Sequence, residues 1–329
     1  MIKDFLKIKR IIAKFKKLKI MVIGDLILDE FLWGDVERIS PEAPVPVVWV
    51  RSESFMPGGA SNVANNIASL GAKVYLSGIT GKDRNADILV AELEKRGINL
   101  DGVVVDGQRP TTLKTRIIAH HQQVVRVDRE RLDSIDDNMY DQMFAFINKK
   151  IKEVDAIIIE DYGKGLVTSR LLSRLIPLVK RHKKIITVDP KVDHFSYYKG
   201  VSSITPNLKE AQEISGLKAK TESDIDKIGR KILKELNSES VLLTLGEGGM
   251  RLFEKNGKII HIPTMAQDVF DVSGAGDTVI AAFTLGLSCG INPRYAAYIA
   301  NYAAGIVVGK VGVATVTSQE LLERIKGVR

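Results

Sequence analysis

One short segment combines acidic and small residues in a pattern suited to phosphate chemistry. It reads DVSGAGD at residues 271–277 and precedes an apolar run typical of a helix. Gly274, Ala275 and Gly276 let the backbone approach an anion, and a helix beginning there directs free N–H groups and its positive dipole end towards it. The Asp277 carboxylate could then take a proton from an attacking hydroxyl while these amides stabilise a transferred phosphoryl group. A plain glycine turn with an aspartate cap has the same pattern.

A second segment, MPGGASN at residues 56–62, has paired glycines before a helix. Gly58 and Gly59 can expose backbone amides, and Asn62 adds a side-chain amide, so the segment could bind sugar hydroxyls. Taken alone it indicates an ordinary capped turn equally well.

Two further segments suit a nucleotide. Asn207 and Glu210 in TPNLKE have capping-box spacing, but their oxygens could instead face Mg²⁺, through water, and the phosphates of a nucleotide. Thr244 and Gly246 follow a predicted strand in a loop able to pass close to a nucleotide. The sequence contains neither a Walker A motif nor a GxGxxG helix start, which indicates another kind of phosphate site.

Several charged residues fall beside these segments. In an open α/β sheet, ligands bind beyond the carboxyl ends of the strands, where we place Asp25, Asp161, Lys191 and Asn207. Cations are natural partners of a substrate phosphate. The candidates are Lys114, Arg116, Arg126, Lys164 and Lys191, of which Lys114 and Lys164 are better explained as solvated surface charges. The pair His120 and His121 forms no metal-binding pattern.

The elements that must position these residues alternate between strands and helices. Strands are expected at 20–24, 73–80, 156–161, 185–190, 202–206 and 241–246, with amphipathic helices between them. This alternation predicts an α/β fold with a mostly parallel central sheet flanked by helices. Two extended segments, 45–50 and 112–128, break the rhythm and predict a small β-sheet lid beside the main sheet.

Charge and composition narrow the class of protein. The 329 residues carry a net charge of +8, of which residues 1–20 hold eight basic side chains and one acid, or +7. The remaining chain is nearly neutral, so a nucleic-acid-binding body is not indicated. We expect residues 1–19 to form a basic helix packed on one domain at 20–329. The single Cys289 and the absence of a long apolar run favour the cytoplasm and no membrane span.

Taken in order, these motifs resemble those of the ribokinase-like (PfkB) sugar kinases. Within that family, the segments RISPEAPVPVV at 38–48, Gln122-Gln123 with Arg126-Val-Asp128, Asp189-Pro-Lys191, and Asn301 with the following AAGIVVGK are similar to the D-glycero-β-D-manno-heptose 7-phosphate kinases of lipopolysaccharide precursor synthesis. The resemblance extends over residues 20–320.

The resemblance implies a kinase that moves the γ-phosphoryl group of ATP to the anomeric hydroxyl of heptose 7-phosphate, giving the 1,7-bisphosphate. Asp277 then matches the general base, and the three residues before it match the anion hole. Asn207 and Glu210 match the Mg-ATP motif, and Thr244, Gly246 and Asn301 lie near the nucleotide. The sugar-binding positions implied by the resemblance or by adjacent charge are Asp25, Gly58, Gly59, Asn62, Arg126, Asp161 and Lys191, with Glu160 as an alternative to Asp161.

The sequence leaves alternatives for the substrate and for the kind of function. Another sugar kinase of the same family, for ribose, fructose or a keto-deoxy sugar acid, would share every phosphate-handling motif, and a binding module acting through the basic N-terminus is a further alternative. Many relatives of the heptose kinases carry a nucleotidyltransferase domain, and the absence of an HxGH sequence here leads us to expect that step in another protein. A lid with apolar alternate residues also predicts a homodimer.

Overall fold

The computed structural model describes residues 5–120 and 122–327, within which the chain forms thirteen strands and ten α-helices. The strands are β1 (Lys19–Gly24), β2 (Leu26–Ile39), β3 (Pro46–Gly59), β4 (Lys73–Gly81), β5 (Asn99–Asp106), β6 (Thr112–Ala119), β7 (Gln122–Arg129), β8 (Ala156–Glu160), β9 (Ile185–Asp189), β10 (Ser203–Ile204), β11 (Ser240–Thr244), β12 (Met250–Glu254) and β13 (Ile259–Ile262).

The helices cover both faces of the main sheet. They are α1 (Phe5–Ile12), α2 (Ala60–Ser69), α3 (Arg84–Glu94), α4 (Asp137–Lys150), α5 (Ser169–Arg181), α6 (Leu208–Ser215), α7 (Glu222–Leu236), α8 (Ala275–Ser288), α9 (Pro293–Val307) and α10 (Ser318–Gly327). Short 3-10 helices lie at Phe15–Lys17, Val192–Tyr198 and Gly246–Gly248.

The main sheet has nine strands in the order β13-β12-β11-β10-β9-β8-β1-β4-β5. All neighbours from β11 to β5 are parallel, and β12 and β13 add an antiparallel edge. The central strands are buried because their two faces pack on helices, which is why β8 reads as an unbroken apolar run up to Glu160. The predicted α/β fold with a mostly parallel sheet is confirmed.

Two apolar clusters form the core, one on each face of this sheet. The first contains side chains of α1, α2, α3, α8, α9 and α10, and the second contains those of α4, α5, α6 and α7. In α1, Ile8, Ile11 and Ile12 are buried in the first cluster, and the half-buried Cys289 packs against it. The apolar side of the basic N-terminal helix therefore faces the protein. No helix among the described residues is long and apolar enough to span a membrane.

A separate four-stranded sheet, β3-β2-β6-β7, stands beside the main one. The predicted lid segments fall mostly in β3, β6 and β7, and 112–128 is two strands joined at His120, which has a positive φ of 49°. His121 lies outside the described residues. Strand β2, which pairs with both β3 and β6, was not anticipated from the sequence.

The two sheets are joined with almost no intervening chain. Asp25 is the single residue between β1 of the main sheet and β2 of the small sheet. On the return, β3 ends at Gly59 and α2 begins at Ala60, whose N–H donates to the Asp25 carbonyl at 3.1 Å. Residues 24–26 and 58–60 therefore place the root of the small sheet at the carboxyl edge of the main one.

Candidate active site

The start of α8 is shaped for an anion. Gly274 is its N-cap with φ of 74°, a left-handed conformation that suits glycine, and a side chain there would meet the Asn62 amide at 2.7 Å. The next residues, Ala275 and Gly276, open the helix; the Ala275 N–H donates to the Val272 carbonyl at 3.2 Å, and the N–H groups that follow it border a small-residue surface. Asp277 lies in this first turn and is 4% exposed.

The Asp277 carboxylate is held from two sides. Asn62 Nδ2 donates to Oδ2 at 2.6 Å, and the Tyr162 hydroxyl donates to Oδ1 at 3.3 Å. Burial raises the pKa of Asp277 to about 6, against the opposing effect of the Asn62 hydrogen bond. A carboxylate with this pKa is ionised at neutral pH yet basic enough to accept a proton, as general base catalysis requires.

Two further carboxyl groups lie beside Asp277. Glu160 and Asp189 are the last residues of the neighbouring strands β8 and β9, and single oxygens of all three groups lie within 4.8 Å of one another. Glu160 is completely buried, and no donor among residues 5–120 and 122–327 forms a hydrogen bond with either of its oxygens. Burial, and then the neighbouring negative charges, raise the pKa of Glu160 and of Asp189 well above the usual range. Carboxyl groups this close repel one another when both are ionised, and a proton or a bound cation between them would relieve that repulsion.

Sequence reasoning missed Asp189 as a site residue and left Glu160 as an alternative. A signal for both was available, because each acidic residue directly ends a buried apolar strand, and parallel neighbouring strands bring their carboxyl ends together. The register pairs Glu160 with Asp189.

A cavity of about 480 Å³ opens on the other side of the α8 start. Its wall includes five residues predicted from the sequence, drawn from three separate parts of the chain: Thr244, Gly246, Ala275, Gly276 and Asn301. The wall is mostly apolar, which suits the flat face of a nucleotide base. Ala275 and Gly276 at the start of α8 belong to this wall, so the cavity adjoins the predicted phosphate-binding turn.

Asn207 and Glu210 form the capping box of α6. Asn207 Oδ1 accepts from the Glu210 N–H at 3.0 Å, and Glu210 Oε2 accepts from the Asn207 N–H at 2.9 Å. Burial raises the pKa of Glu210, and its negative charge contributes to the raised pKa of Asp189. Asn207 and Glu210 therefore cap α6, and Glu210 also lies close enough to Asp189 to raise the pKa of that carboxyl group.

Asp25 lies at the junction of the two sheets. Its Oδ2 accepts the N–H groups of Tyr162 and Lys164, at 2.9 and 3.0 Å, and burial raises its pKa to about 6. Gly58 packs directly on Asp29, since an added Cβ would lie 2.4 Å from Oδ2 of that carboxylate. Gly59 is the N-cap of α2, which carries Asn62 to Asp277.

The remaining predicted residues differ in their surroundings. Arg126 lies exposed on β7 and forms an ion pair with Asp128 at 2.9 Å, so its side chain is engaged within the small sheet. Asp161 is buried, and its oxygens accept from the Gly163 N–H, the Tyr198 hydroxyl and His194. Its predicted contact with a sugar hydroxyl must therefore compete with protein donors.

Comparisons with known proteins identify the class. The chain superposes on Arabidopsis thaliana ribokinase complexed with ribose and ATP, with a TM-score of 0.75, 19% identity, and coverage of 94% of this chain and 99% of that one. It also superposes on Escherichia coli phosphofructokinase-2 in complex with potassium, with a TM-score of 0.78, 18% identity, and coverage of 95% and 100%. These likenesses show that the fold is ribokinase-like.

The family follows from the sequence. Residues 17–320 match the model of the pfkB family carbohydrate kinases, and the chain belongs to that family. The resemblance seen in the motifs is thereby confirmed.

Curated relatives are similar over nearly the whole chain. It is 42% identical over 315 residues to the bifunctional protein HldE of Desulfatibacillum aliphaticivorans, covering 96% of this chain and 64% of that protein. It is 45% identical over 303 residues to the protein of the same name from Helicobacter pylori strain J99, covering 92% and 65%. The chain thus spans slightly less than two thirds of the length of these relatives.

Proposed function

We propose that this chain is an ATP-dependent kinase that phosphorylates the anomeric hydroxyl of D-glycero-β-D-manno-heptose 7-phosphate, yielding the 1,7-bisphosphate used to build the heptose of lipopolysaccharide. The observation that carries the kinase assignment is the buried Asp277 carboxylate at the start of α8, between the nucleotide-sized cavity and the Asp25 side of the sheet. The motif resemblance and the HldE relatives support the heptose as substrate.

In the proposed reaction, Asp277 removes the proton of the anomeric hydroxyl as its oxygen attacks the γ-phosphorus of ATP. The bond from that phosphorus to the β–γ bridging oxygen breaks, and ADP leaves. Asn62 and Tyr162 each donate to one oxygen of this carboxylate and so fix its orientation. The first-turn amides of α8 stabilise the charge on the transferred group, because they are already oriented and no solvent must reorganise.

The acidic groups here fit a hydrated Mg²⁺ ion. This cation prefers carboxylate and amide oxygens and usually retains several waters. Asn207 and Glu210 would hold it, through water, beside the carboxyl group of Asp189. When bound, it neutralises charge on the nucleotide phosphates.

A coupled ADP-release assay tests the function. It would use MgATP with heptose 7-phosphate, fructose 6-phosphate, ribose and fructose, followed by NMR of the product. Turnover confined to heptose 7-phosphate with phosphate on the anomeric carbon is the expected result. Preference for ribose, fructose or another unphosphorylated sugar would contradict the heptose assignment while retaining a family sugar kinase.

We also propose that residues 20–329 act as one kinase domain and that the protein works in the cytoplasm. We further propose that two copies form a homodimer through the small sheet. Apolar side chains on its strands are exposed, including Trp49 at 60% and, on β7, Val125 at 45% and Val127 at 51%. Exposed apolar side chains on a sheet favour pairing with another surface. Light scattering at micromolar concentration should give twice the chain mass; a monomer would argue against this assembly.

A further inference from the structure

Lys191 differs from the other candidate cations near the site in forming only a long ion pair, with Asp193, although its charge also partly offsets the rise in the pKa of Glu210 that burial causes. Four of the predicted phosphate-binding cations form ion pairs of 2.6–3.0 Å: Lys114 with Asp128, Arg116 with Asp29, Arg126 with Asp128 and Lys164 with Glu130. Lys191 Nζ is 4.0 Å from its nearest acidic oxygen, on the largely exposed Asp193. A phosphate reaching Lys191 would therefore displace little, whereas at the other four it would compete with a carboxylate.

His194 lies one 3-10 turn after Lys191, and its N–H donates to the Lys191 carbonyl at 3.0 Å. Its ring is fixed, because Nδ1 lies 2.8 Å from Asp161 Oδ2 and the ring stacks on Tyr197 with centroids 5.2 Å apart. Among residues 5–120 and 122–327, Nε2 has no hydrogen-bond partner, and the side chain is 24% exposed. The ring therefore presents one ordered nitrogen to a ligand.

Both residues are linked to the turn at Gly163, Lys191 by direct packing and His194 through Asp161, which accepts from the Gly163 N–H at 2.9 Å. The Lys191 side chain packs on Gly163, where an added Cβ would lie 3.4 Å from its Cε. Gly163 belongs to the turn whose amides at Tyr162 and Lys164 hold Asp25. The Tyr162 side chain spans from this turn to Asp277. Tyr162 thus links the turn that contacts Lys191 to the base Asp277.

We propose that Lys191 and His194 form the subsite for the distal phosphate of the sugar, with Asp161 as the positioning residue that orients His194. This inference rests on the proposed function in one respect, that the substrate is a phosphorylated sugar. Lysine is a point charge suited to phosphate, and an imidazole nitrogen can donate to the dianion or accept from the monoanion of the ester. The subsite would make the enzyme prefer a sugar phosphate to the free sugar.

The test compares kcat/KM for heptose 7-phosphate and for the same heptose without phosphate, in the full-length wild type and in variants. Lys191→Gln removes the charge, and His194→Asn keeps a donor to Asp161 while removing Nε2. Each should lower kcat/KM for the phosphorylated sugar roughly 10–100-fold, the range for losing a hydrogen bond to a charged group. The value for the free heptose and the KM for ATP should change less than about twofold.

Three further variants sharpen the result. Lys199→Gln makes the same charge change on an exposed residue outside the proposed subsite and should leave the ratio of the two kcat/KM values unchanged. His194→Gln places an amide near the position of Nε2 and should recover part of the preference. Asp161→Asn should weaken it by freeing the His194 ring, and thermal unfolding would verify that each variant is folded.

Equal losses with both sugars, or a raised KM for ATP in Lys191→Gln, would overturn the subsite even if the wild type uses heptose 7-phosphate. If the wild type instead prefers fructose 6-phosphate, the heptose assignment fails, yet the same ratio measured with fructose 6-phosphate and fructose still tests the subsite. A wild type without any preference for phosphorylated sugars would overturn both proposals.

Discussion

Acidic residues are treated in opposite ways in the two sheets. In and beside the small sheet they are matched by cations: Asp29 by Arg116 at 2.6 Å, Asp128 by Lys114 at 3.0 Å and Glu130 by Lys164 at 2.7 Å. At the carboxyl edge of the main sheet, Glu160 and Asp189 meet Asp277, and in the described part of the chain no lysine or arginine forms an ion pair with them.

The pKa of Asp128 follows this difference, whereas burial raises the pKa of Asp29 despite its ion pair with Arg116. Although Asp128 is partly desolvated, the ion pairs with Lys114 and Arg126 lower its pKa, whereas burial raises the pKa of Glu160 and Asp277. These acidic side chains in and beside the small sheet therefore have cationic partners without a ligand. The edge of the main sheet retains negative charge at a cost in stability, which a bound cation would relieve.

The largest effect should come from removing the base at this edge. Asp277→Asn keeps the shape of the side chain but cannot accept the hydroxyl proton, so kcat should fall roughly 10²–10⁴-fold with little change in the KM for ATP. Steady-state kinetics would measure both quantities. Turnover near that of the wild type would exclude Asp277 from the role of base.

The next effect is on the pH dependence of activity. Asp277 must be ionised to act, and both it and Asp25 have a pKa of about 6. Turnover should therefore fall below pH 6, by roughly 10–100-fold per pH unit depending on whether one or both groups must be ionised. Because a phosphate ester also titrates near this pH, the profile should be compared with that of an unphosphorylated sugar. A flat profile between pH 5 and pH 7 for both would contradict the assignment.

A smaller effect is expected on stability. Glu160→Gln replaces a buried, unpartnered acid by a neutral side chain of similar shape, so the free energy of unfolding at pH 8 should rise by about 1–3 kcal/mol. The folded-state pKa is raised, so the difference should be least at acidic pH, where glutamate is protonated even when unfolded. The stability difference between Glu160→Gln and the wild type should grow as the pH rises towards the pKa of Glu160 in the folded protein. Urea unfolding at several pH values would measure it, and a loss of stability at pH 8 would contradict it.

The smallest effect should come from the small sheet, with the opposite dependence on pH. Asp128→Asn removes the partner of Lys114 and Arg126, but these pairs are partly solvated, so the loss should not exceed about 1 kcal/mol. The folded-state pKa is lowered, so the stabilisation exists at neutral pH and disappears as the pH falls through that value. Comparing the unfolding series of this variant with that of Glu160→Gln would separate the two regions. A larger loss of unfolding free energy at pH 5 than at pH 8 in Asp128→Asn would contradict this prediction.

The sequence predicts the main sheet better than the small one. Strands such as β8 are buried on both faces, and their apolar runs are visible locally. Strand β2 was missed because Asp29, Glu30, Gly34 and Asp35 interrupt its alternation, and it is stabilised by pairing with β3 and β6 rather than by its own pattern. The edge strands β5 and β13 were missed because they have no comparably continuous buried run.

The candidate site divides in a similar way. Gly274 and Gly59 could be found because a helix start beside a ligand requires unusual backbone geometry, and Asp277 follows the first of these. The contact of Asp161 with His194 joins residues 33 positions apart through a 3-10 helix, and no local pattern encodes it. The length of the Lys191–Asp193 ion pair, 4.0 Å, is likewise a property of the tertiary structure, since the two residues are only two positions apart in the sequence.

The linker-free junction at Asp25 has a mechanical consequence. Strand β2 starts directly after this residue, and β3 runs without a loop into the helix that carries Asn62 to Asp277. A rotation of the outer sheet therefore cannot be absorbed by slack chain, and it must alter the backbone angles at Asp25 and Gly59. A change in the tilt of the small sheet would therefore also move Asp25 and the start of the helix that carries Asn62.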